Sequence, residues 1–224
     1  MRHPQGGFAE RIAWMLSNTS RPVPVISAGS GKDQHPTQAL LDIYTLERSF
    51  ENSGGVDGKV VAFVGDLKRG RTVRSLAGLL TQYDDVKVIF VAPAELQIGA
   101  DILEQLDTAG VSYELCGNFE KIIPDVDAIY MTRIQDEWDV DNESSLIDTS
   151  TFYFTKEHLN VLKKDAVIMH PLPRRKEIDV TVDNDPRAVY WRQVRNGMWI
   201  RSALILSIFG LDGRVRDYYE ETVS

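Results

Sequence analysis

The residues best suited to chemistry are cations and amides placed where apolar runs end. Lys59 to Leu80 opens with a short apolar run, Val60 to Val64, and breaks at Gly65-Asp66-Leu67-Lys68-Arg69-Gly70. From Arg71 the spacing changes, with Val73, Leu76, Ala77 and Leu80 recurring at three- and four-residue intervals. That order predicts a buried parallel strand, a polar turn and the first turns of an amphipathic helix. Arg71 stands at the mouth of the turn, with Lys68, Arg69 and Arg74 close by. Further along, Arg133 and Gln135 follow a second strand-like run, and the turn at Leu172-Pro173 follows a third. Upstream, His35 and Gln38 bracket Pro36 at a helix start. Guanidinium, imidazole and amide groups together suit a small substrate with several carboxylate or phosphate oxygens. Arginine binds such groups as a planar fork, so paired arginines suit a dicarboxylate. The chemistry this set can supply is substrate positioning and electrostatic stabilisation of developing charge. His35 could polarise a carbonyl oxygen or bind phosphate; its plainer reading is a helix-capping histidine. A basic turn after a strand is, equally, often a solvated loop.

The elements that must position these groups follow the hydrophobic period. Phe8, Ile12, Ala13 and Leu16 mark a first helical face, and Arg21-Pro22-Val23-Pro24-Val25-Ile26 reads as a short strand with prolines at its entry. After the small-residue loop Ser27 to Gln34, a strong helix opens at His35-Pro36-Thr37-Gln38, where proline in the first turn forfeits no bonded N–H. His35 and Gln38 thus sit beside free backbone donors that favour anions. Glu51-Asn52-Ser53-Gly54-Gly55 reads as a hinge or domain boundary. Strands are expected at Val86–Val91, Val111–Leu115, Asp127–Met131 and Asp165–Met169. Helices are expected at Ile102–Ala109, from Thr155, and over Val189–Phe209. In the last of these Trp191, Val194, Met198, Trp199, Ala203, Leu204 and Ile208 form one rich apolar face. Alternating strands and helices predict an α/β fold with a doubly wound parallel sheet, whose ligands sit at the carboxyl ends of the strands. There is no internal repeat and no low-complexity segment.

The totals narrow the function classes. A chain of 224 residues holds one large or two small domains, and 43% hydrophobic with 26% charged residues is ordinary globular composition. A net charge of -8 argues against a nucleic-acid surface, so the local cations serve a small anion. No run is apolar enough for a membrane helix and no signal-peptide pattern opens the chain. The lone cysteine, Cys116, excludes an intrachain disulfide and reads as a small buried hydrophobe in a reducing, cytoplasmic protein. No Cys/His metal spacing, GxSxG elbow or nucleotide fingerprint is present, and no cofactor or metal is called for.

Four motifs then occur together and in order. They are His35-Pro36-Thr37-Gln38-Ala39-Leu40-Leu41-Asp42, Gly65-Asp66-Leu67 with Gly70-Arg71-Thr72-Val73, Met131-Thr132-Arg133-Ile134-Gln135, and His170-Pro171-Leu172-Pro173-Arg174. With them the chain closely resembles the catalytic chains of the aspartate/ornithine carbamoyltransferase family, over nearly its whole length. The resemblance implies two α/β domains with the site between them, a trimer, possible regulatory or pathway subunits, and transfer of the carbamoyl group of carbamoyl phosphate to L-aspartate in pyrimidine synthesis. It implies that Arg2, His35 and Gln38 contact carbamoyl phosphate, with Arg2 and His35 as the catalytic pair. Leu172 and Pro173 would offer backbone carbonyls to its amino group, and Arg71, Arg133 and Gln135 would hold aspartate. Ornithine-specific relatives carry His-Cys-Leu-Pro and Ser-Met-Gly, which this sequence lacks.

The resemblance also marks departures. Family members carry about a hundred further residues ahead of the Arg-His-Pro motif, a normal domain's worth. The family's phosphate-cradling Ser-Thr-Arg-Thr and its Ser and Lys loop appear nowhere in the 224 residues. Ser27-Ala28-Gly29-Ser30-Gly31 stands where the family has Asn-Ala-Gly-Asp-Gly, which would loosen the loop before His35. The expectation is a shortened chain of very weak activity with exposed apolar surface. Residues 1–54 would form part of a carbamoyl-phosphate domain, 55–184 an aspartate domain, and 185–224 a helix returning to the first. The rivals are a non-catalytic assembly subunit of the same fold and a carbamoyltransferase for another amino acid.

Overall fold

The computed structural model describes residues 1–31, 34–134 and 152–223. Its elements in chain order are α1 (Phe8–Ser17), α2 (Pro36–Phe50), β1 (Val60–Val64), α3 (Arg71–Leu80), β2 (Lys87–Val91), α4 (Ala100–Ala109), β3 (Ser112–Cys116), a single turn α5 (Phe119–Ile122), β4 (Ala128–Met131), β5 (Val167–Met169), α6 (Tyr190–Ile208) and α7 (Asp212–Val223).

Five strands form one sheet in the order β3-β2-β1-β4-β5, every pair parallel. Ala62 of β1 stands opposite both Ile89 and Ile129, so the central three strands are in close register. Successive side chains enter opposite faces. Val61 and Phe63 join a core with Leu76, Leu80 and Phe90, while Ala62 and Val64 join Ile129, Phe154 and Ile168 on the other side. A sheet covered on both faces needs apolar residues at every position, hence the unbroken run from Val60 to Val64. Chain order runs outward from β1 through β2 to β3, then resumes on its other side with β4. The topological switch therefore lies between β1 and β4, where a ligand crevice is expected.

Several expectations fail for definable reasons. Arg21 to Ile26 is no strand: Pro22 and Pro24 supply no N–H, and the ladder bonds here are short and come from the first residues instead. Met1 N donates to Ile26 O at 2.5 Å, Ala28 N to Met1 O at 2.7 Å, and Gly31 N to His3 O at 2.9 Å. The helix from Thr155 is only a five-residue 3₁₀ turn, Lys156–Asn160, capped by Thr155 and His158. Cys116 is half-buried at the end of β3 rather than buried.

The largest reversal is in α6. Trp191, Val194, Met198, Trp199 and Ile208 are exposed, whereas Gln193, Asn196 and Gly197 are buried. The buried stripe faces α2 through polar rungs. Gln193 Nε2 donates to Asp42 Oδ1 at 2.6 Å and Asn196 Nδ2 to Thr45 Oγ1 at 2.9 Å; at the exposed edge Arg192 Nη2 donates to Ser49 Oγ at 2.7 Å. Gly197 permits the approach, since a Cβ there would lie 3.0 Å from Leu41.

Candidate active site

The site is assembled from three strand ends and one helix start. At the end of β1, Gly65 adopts φ 116°, and a Cβ on it would stand 2.4 Å from the carbonyl oxygen of Thr132. The bare backbone thus lets the ends of β1 and β4 close on each other. Thr132 N and Oγ1 both donate to Val64 O, at 2.8 and 3.0 Å, fixing the start of the segment that carries Arg133.

The cations of the β1–α3 turn divide by role. Arg69 is buried and turns back to Asp66, 3.5 Å away. Arg74 pairs with Asp101 at the start of α4. Arg71, the first residue of α3, instead crosses to the loop before α2, where Nη1 donates to Gly31 O at 3.2 Å. Gly29 makes room, since a Cβ there would be 2.8 Å from that guanidinium. The same loop is stitched to the N-terminal residues, with Ser30 Oγ donating to Gln5 O at 3.1 Å, and this carries Arg2 over the site.

His35 is the N-cap residue of α2 but makes no side-chain cap bond, so the capping reading fails; its backbone N–H donates to Ser75 Oγ at 2.9 Å. Nδ1 is buried with no partner among the described residues. Burial, reinforced by the cations Arg71, Arg201 and Arg2, lowers its pKa to about 4. The imidazole is therefore neutral near pH 7 and offers one N–H donor.

After β5 the chain turns through His170 to Pro173. Leu172 N donates to His170 Nδ1 at 2.8 Å, which leaves the proton on Nε2 to be donated to Glu177 Oε1 at 2.7 Å. Burial pushes the Glu177 carboxyl up, but the bonds from His170 and from backbone N–H groups outweigh it and hold it below its usual range. His170 thereby clamps the turn from inside, with Leu172 in a left-handed conformation at φ 48°.

These parts line one cavity of about 180 Å³, bounded by Arg2, His35, Gln38, Arg71, Thr72, Thr132, Arg133, His170, Pro171, Leu172 and Pro173. Among the described residues none of the lining is acidic, and three arginines line it, which suits an anion. A larger cavity of about 470 Å³ beside α2, α3 and α4 has its one lining arginine, Arg74, already paired with Asp101. Every expected site residue lies in the smaller cavity except Gln135, which is outside the described residues. Thr72, Thr132, His170 and Pro171 were not expected as site residues, although each lies in a quoted motif one or two positions from a residue that was.

Family models match both parts of the chain: residues 57–208 fit the aspartate/ornithine carbamoyltransferase Asp/Orn binding domain, and residues 1–48 the carbamoyl-P binding domain. The chain belongs to the aspartate/ornithine carbamoyltransferase family. The aspartate carbamoyltransferase catalytic subunit of Vibrio cholerae is 46% identical over 205 residues, which are 92% of this chain and 64% of that one. The chloroplastic aspartate carbamoyltransferase of Oryza sativa is 44% identical over 92% of this chain and 54% of its own length. Among solved structures, Trypanosoma cruzi aspartate transcarbamoylase in complex with N-(phosphonacetyl)-L-aspartic acid superposes with a TM-score of 0.78 at 37% identity, over 92% of this chain and 64% of that one. The catalytic subunit from M. jannaschii gives 0.77 at 39% identity, over 91% and 63%. The chain thus spans 54% to 64% of the length of these relatives. Among the described residues no helix is long and apolar enough to cross a membrane.

Proposed function

We propose that the cavity is the substrate site of an aspartate carbamoyltransferase, which moves the carbamoyl group of carbamoyl phosphate to L-aspartate. The observation that carries this reading is the convergence of Arg2, Arg71 and Arg133 with His35 and Gln38 on one cavity that no acid lines among the described residues. Arg71 and Arg133 would take the two carboxylates of aspartate as forks, with Gln135 beside them. A cationic acceptor such as ornithine would meet guanidinium groups and, among the described residues, no counter-charge. Arg2 and His35 would take the carbonyl oxygen and phosphate of carbamoyl phosphate, and Leu172 and Pro173 would accept from its amino group.

In that arrangement the neutral amine of aspartate attacks the carbamoyl carbon. A C–N bond forms, the C–O bond to phosphate breaks, and the proton shed by nitrogen leaves with the phosphate. His35 would contribute a fixed neutral donor to the developing oxyanion, a role worth about a hundredfold or more in rate. On the same reading residues 1–54 belong to the carbamoyl-phosphate side, 55–184 to the aspartate side, and 185–224 return to the first. A trimer is the assembly this reading expects.

The rival is a non-catalytic assembly subunit of the same fold. Calorimetric titration with N-(phosphonacetyl)-L-aspartic acid, beside an assay for carbamoyl aspartate, tests both. Binding weakened about 10- to 100-fold by either Arg71→Ala or Arg133→Ala supports the site. Binding indifferent to both substitutions refutes it. Turnover gained on adding a family segment with Ser-Thr-Arg-Thr favours the enzyme; binding without turnover in its presence favours the subunit.

A further inference from the structure

Asp42 lies one turn below Gln38 on α2 and is completely buried. Its carboxylate accepts three side-chain bonds. Gln38 Nε2 and Gln193 Nε2 donate to Oδ1 at 2.9 and 2.6 Å, and the Tyr130 hydroxyl donates to Oδ2 at 2.7 Å. Each donor comes from an element that builds the cavity. Gln38 lines it, Tyr130 lies in β4 three residues before Arg133, and Gln193 Oε1 accepts from the backbone N–H of His170 at 3.0 Å. Thr72, another lining residue, also hydrogen-bonds the Tyr130 hydroxyl. The charged group acting on the carboxylate is Arg201 of α6; Tyr130 is the titratable one.

Oδ1, which takes both amides, is an acceptor in the ionised carboxylate and also in the acid protonated on Oδ2, so in either form it dictates how both amides are turned. Each must point its NH₂ at Asp42 and its oxygen away. For Gln193 that oxygen holds the His170 turn. For Gln38 it leaves the carbonyl oxygen for the cavity. We propose that Asp42 is a positioning residue: it makes Gln38 present a hydrogen-bond acceptor to the ligand and couples that choice to the placement of the His170–Pro173 turn. An acceptor at that point selects a ligand bearing an N–H donor over an isostere without one. The selectivity half of the proposal rests on the carbamoyl phosphate reading; the amide orientation does not.

Two measurements separate the halves. In ¹⁵N spectra of the free 224-residue chain, the side-chain NH₂ pairs of Gln38 and Gln193, assigned by their loss in Gln38→Leu and Gln193→Leu, should exchange at least ~10-fold more slowly than exposed glutamine amides. A Gln38 amide exchanging at the exposed rate overturns the proposal, and this reading needs no variant at position 42. The second measurement compares binding of carbamoyl phosphate with acetyl phosphate, which carries a methyl group in place of the amino group. The chain should prefer carbamoyl phosphate by about 3- to 10-fold, the value of one neutral hydrogen bond. In Asp42→Leu, which removes the shared acceptor of both amides, Gln38 is free to turn its NH₂ to the ligand, and the preference should fall to roughly one while the second ligand's affinity changes little. A folded Asp42→Leu chain that keeps the preference overturns the proposal. If neither phosphate binds the unsubstituted chain, the substrate reading fails, and the amide exchange still decides the role of Asp42.

Discussion

Gly65→Ala is the sharpest test of how the sheet builds this site. The new Cβ would stand 2.4 Å from the Thr132 carbonyl oxygen and 2.6 Å from its Oγ1, whereas real Cβ contacts stay beyond 3.0 Å. A flexible side chain cannot yield here, because the nearer atom is backbone already tied to β1 by the Thr132 N–H to Val64 O bond. Two costs combine. A φ of 116° is unfavourable for any L side chain, at about 1–3 kcal/mol, and forced displacement in packed structure costs about 1–3 kcal/mol more. The expected loss is ~4 kcal/mol, a fall in urea midpoint of roughly 1.5 M at a slope of about 2.5 kcal/mol/M. Gly110→Ala is the control. Its φ is 71° but nothing lies within 4 Å of a Cβ, so it should lose only ~1 kcal/mol. Because the same displacement carries Arg133 outward, Gly65→Ala should also weaken N-(phosphonacetyl)-L-aspartic acid, and Gly110→Ala should not. A Gly65→Ala chain within 1 kcal/mol of the parent, with an unchanged slope, would show that the strand ends do not meet as described.

Two further outcomes follow from buried ionisable groups. The pKa of His35 is lowered to about 4, so the unfolded chain binds the extra proton and stability rises with pH between about 4 and 6.5. Asp42 is raised to about 7, mainly by burial, so its contribution is present at low pH and is lost as pH climbs from about 4 through 7. Urea titrations at pH 4.5 and 7 should therefore show a steeper rise with pH in Asp42→Asn than in the parent and a flatter one in His35→Gln; parallel lines would contradict both assignments. Glu177→Ala would leave the Nε2–H of His170 buried without its acceptor, costing about 1–3 kcal/mol. It should also weaken binding of carbamoyl phosphate through the Leu172 turn. Glu177→Gln, which keeps an acceptor, should recover most of both.

The sheet was legible because buried parallel strands advertise themselves as unbroken apolar runs, and each of Val60–Val64, Val88–Val91 and Ile129–Met131 is one. The cations at the strand ends were legible by position, since the topology of a doubly wound sheet dictates where they meet. Their division of labour was not. Nothing local distinguishes Arg69, which turns in to Asp66, from Arg71, which spans to Gly31. That difference arises from a loop 40 residues earlier in the chain. Arg21 to Ile26 misled in the other direction, since β-branched residues between prolines read as strand although the N–H groups for a ladder are missing.

Helix α6 shows why apolar periodicity alone chose the wrong face. An apolar stripe is assumed to point at the core, yet α6 turns Gln193, Asn196 and Gly197 inward, with Gln193 and Asn196 bonded to polar groups of α2 and Gly197 set against Leu41. Such a seam is tolerable only when each buried group is matched. Here the matching is specific: Asp42 with Gln193 and Thr45 with Asn196 in the buried seam, and Ser49 with Arg192 at its exposed edge. A one-residue slip of α6 would rotate it about 100° and strand both buried pairs at once, so the seam fixes the register of the helix more tightly than an apolar contact could. That register is what brings Gln193 to the backbone of His170. The exposed apolar residues of α6 are thus compatible with a well-placed helix, because its position is set by the polar face that also serves the cavity.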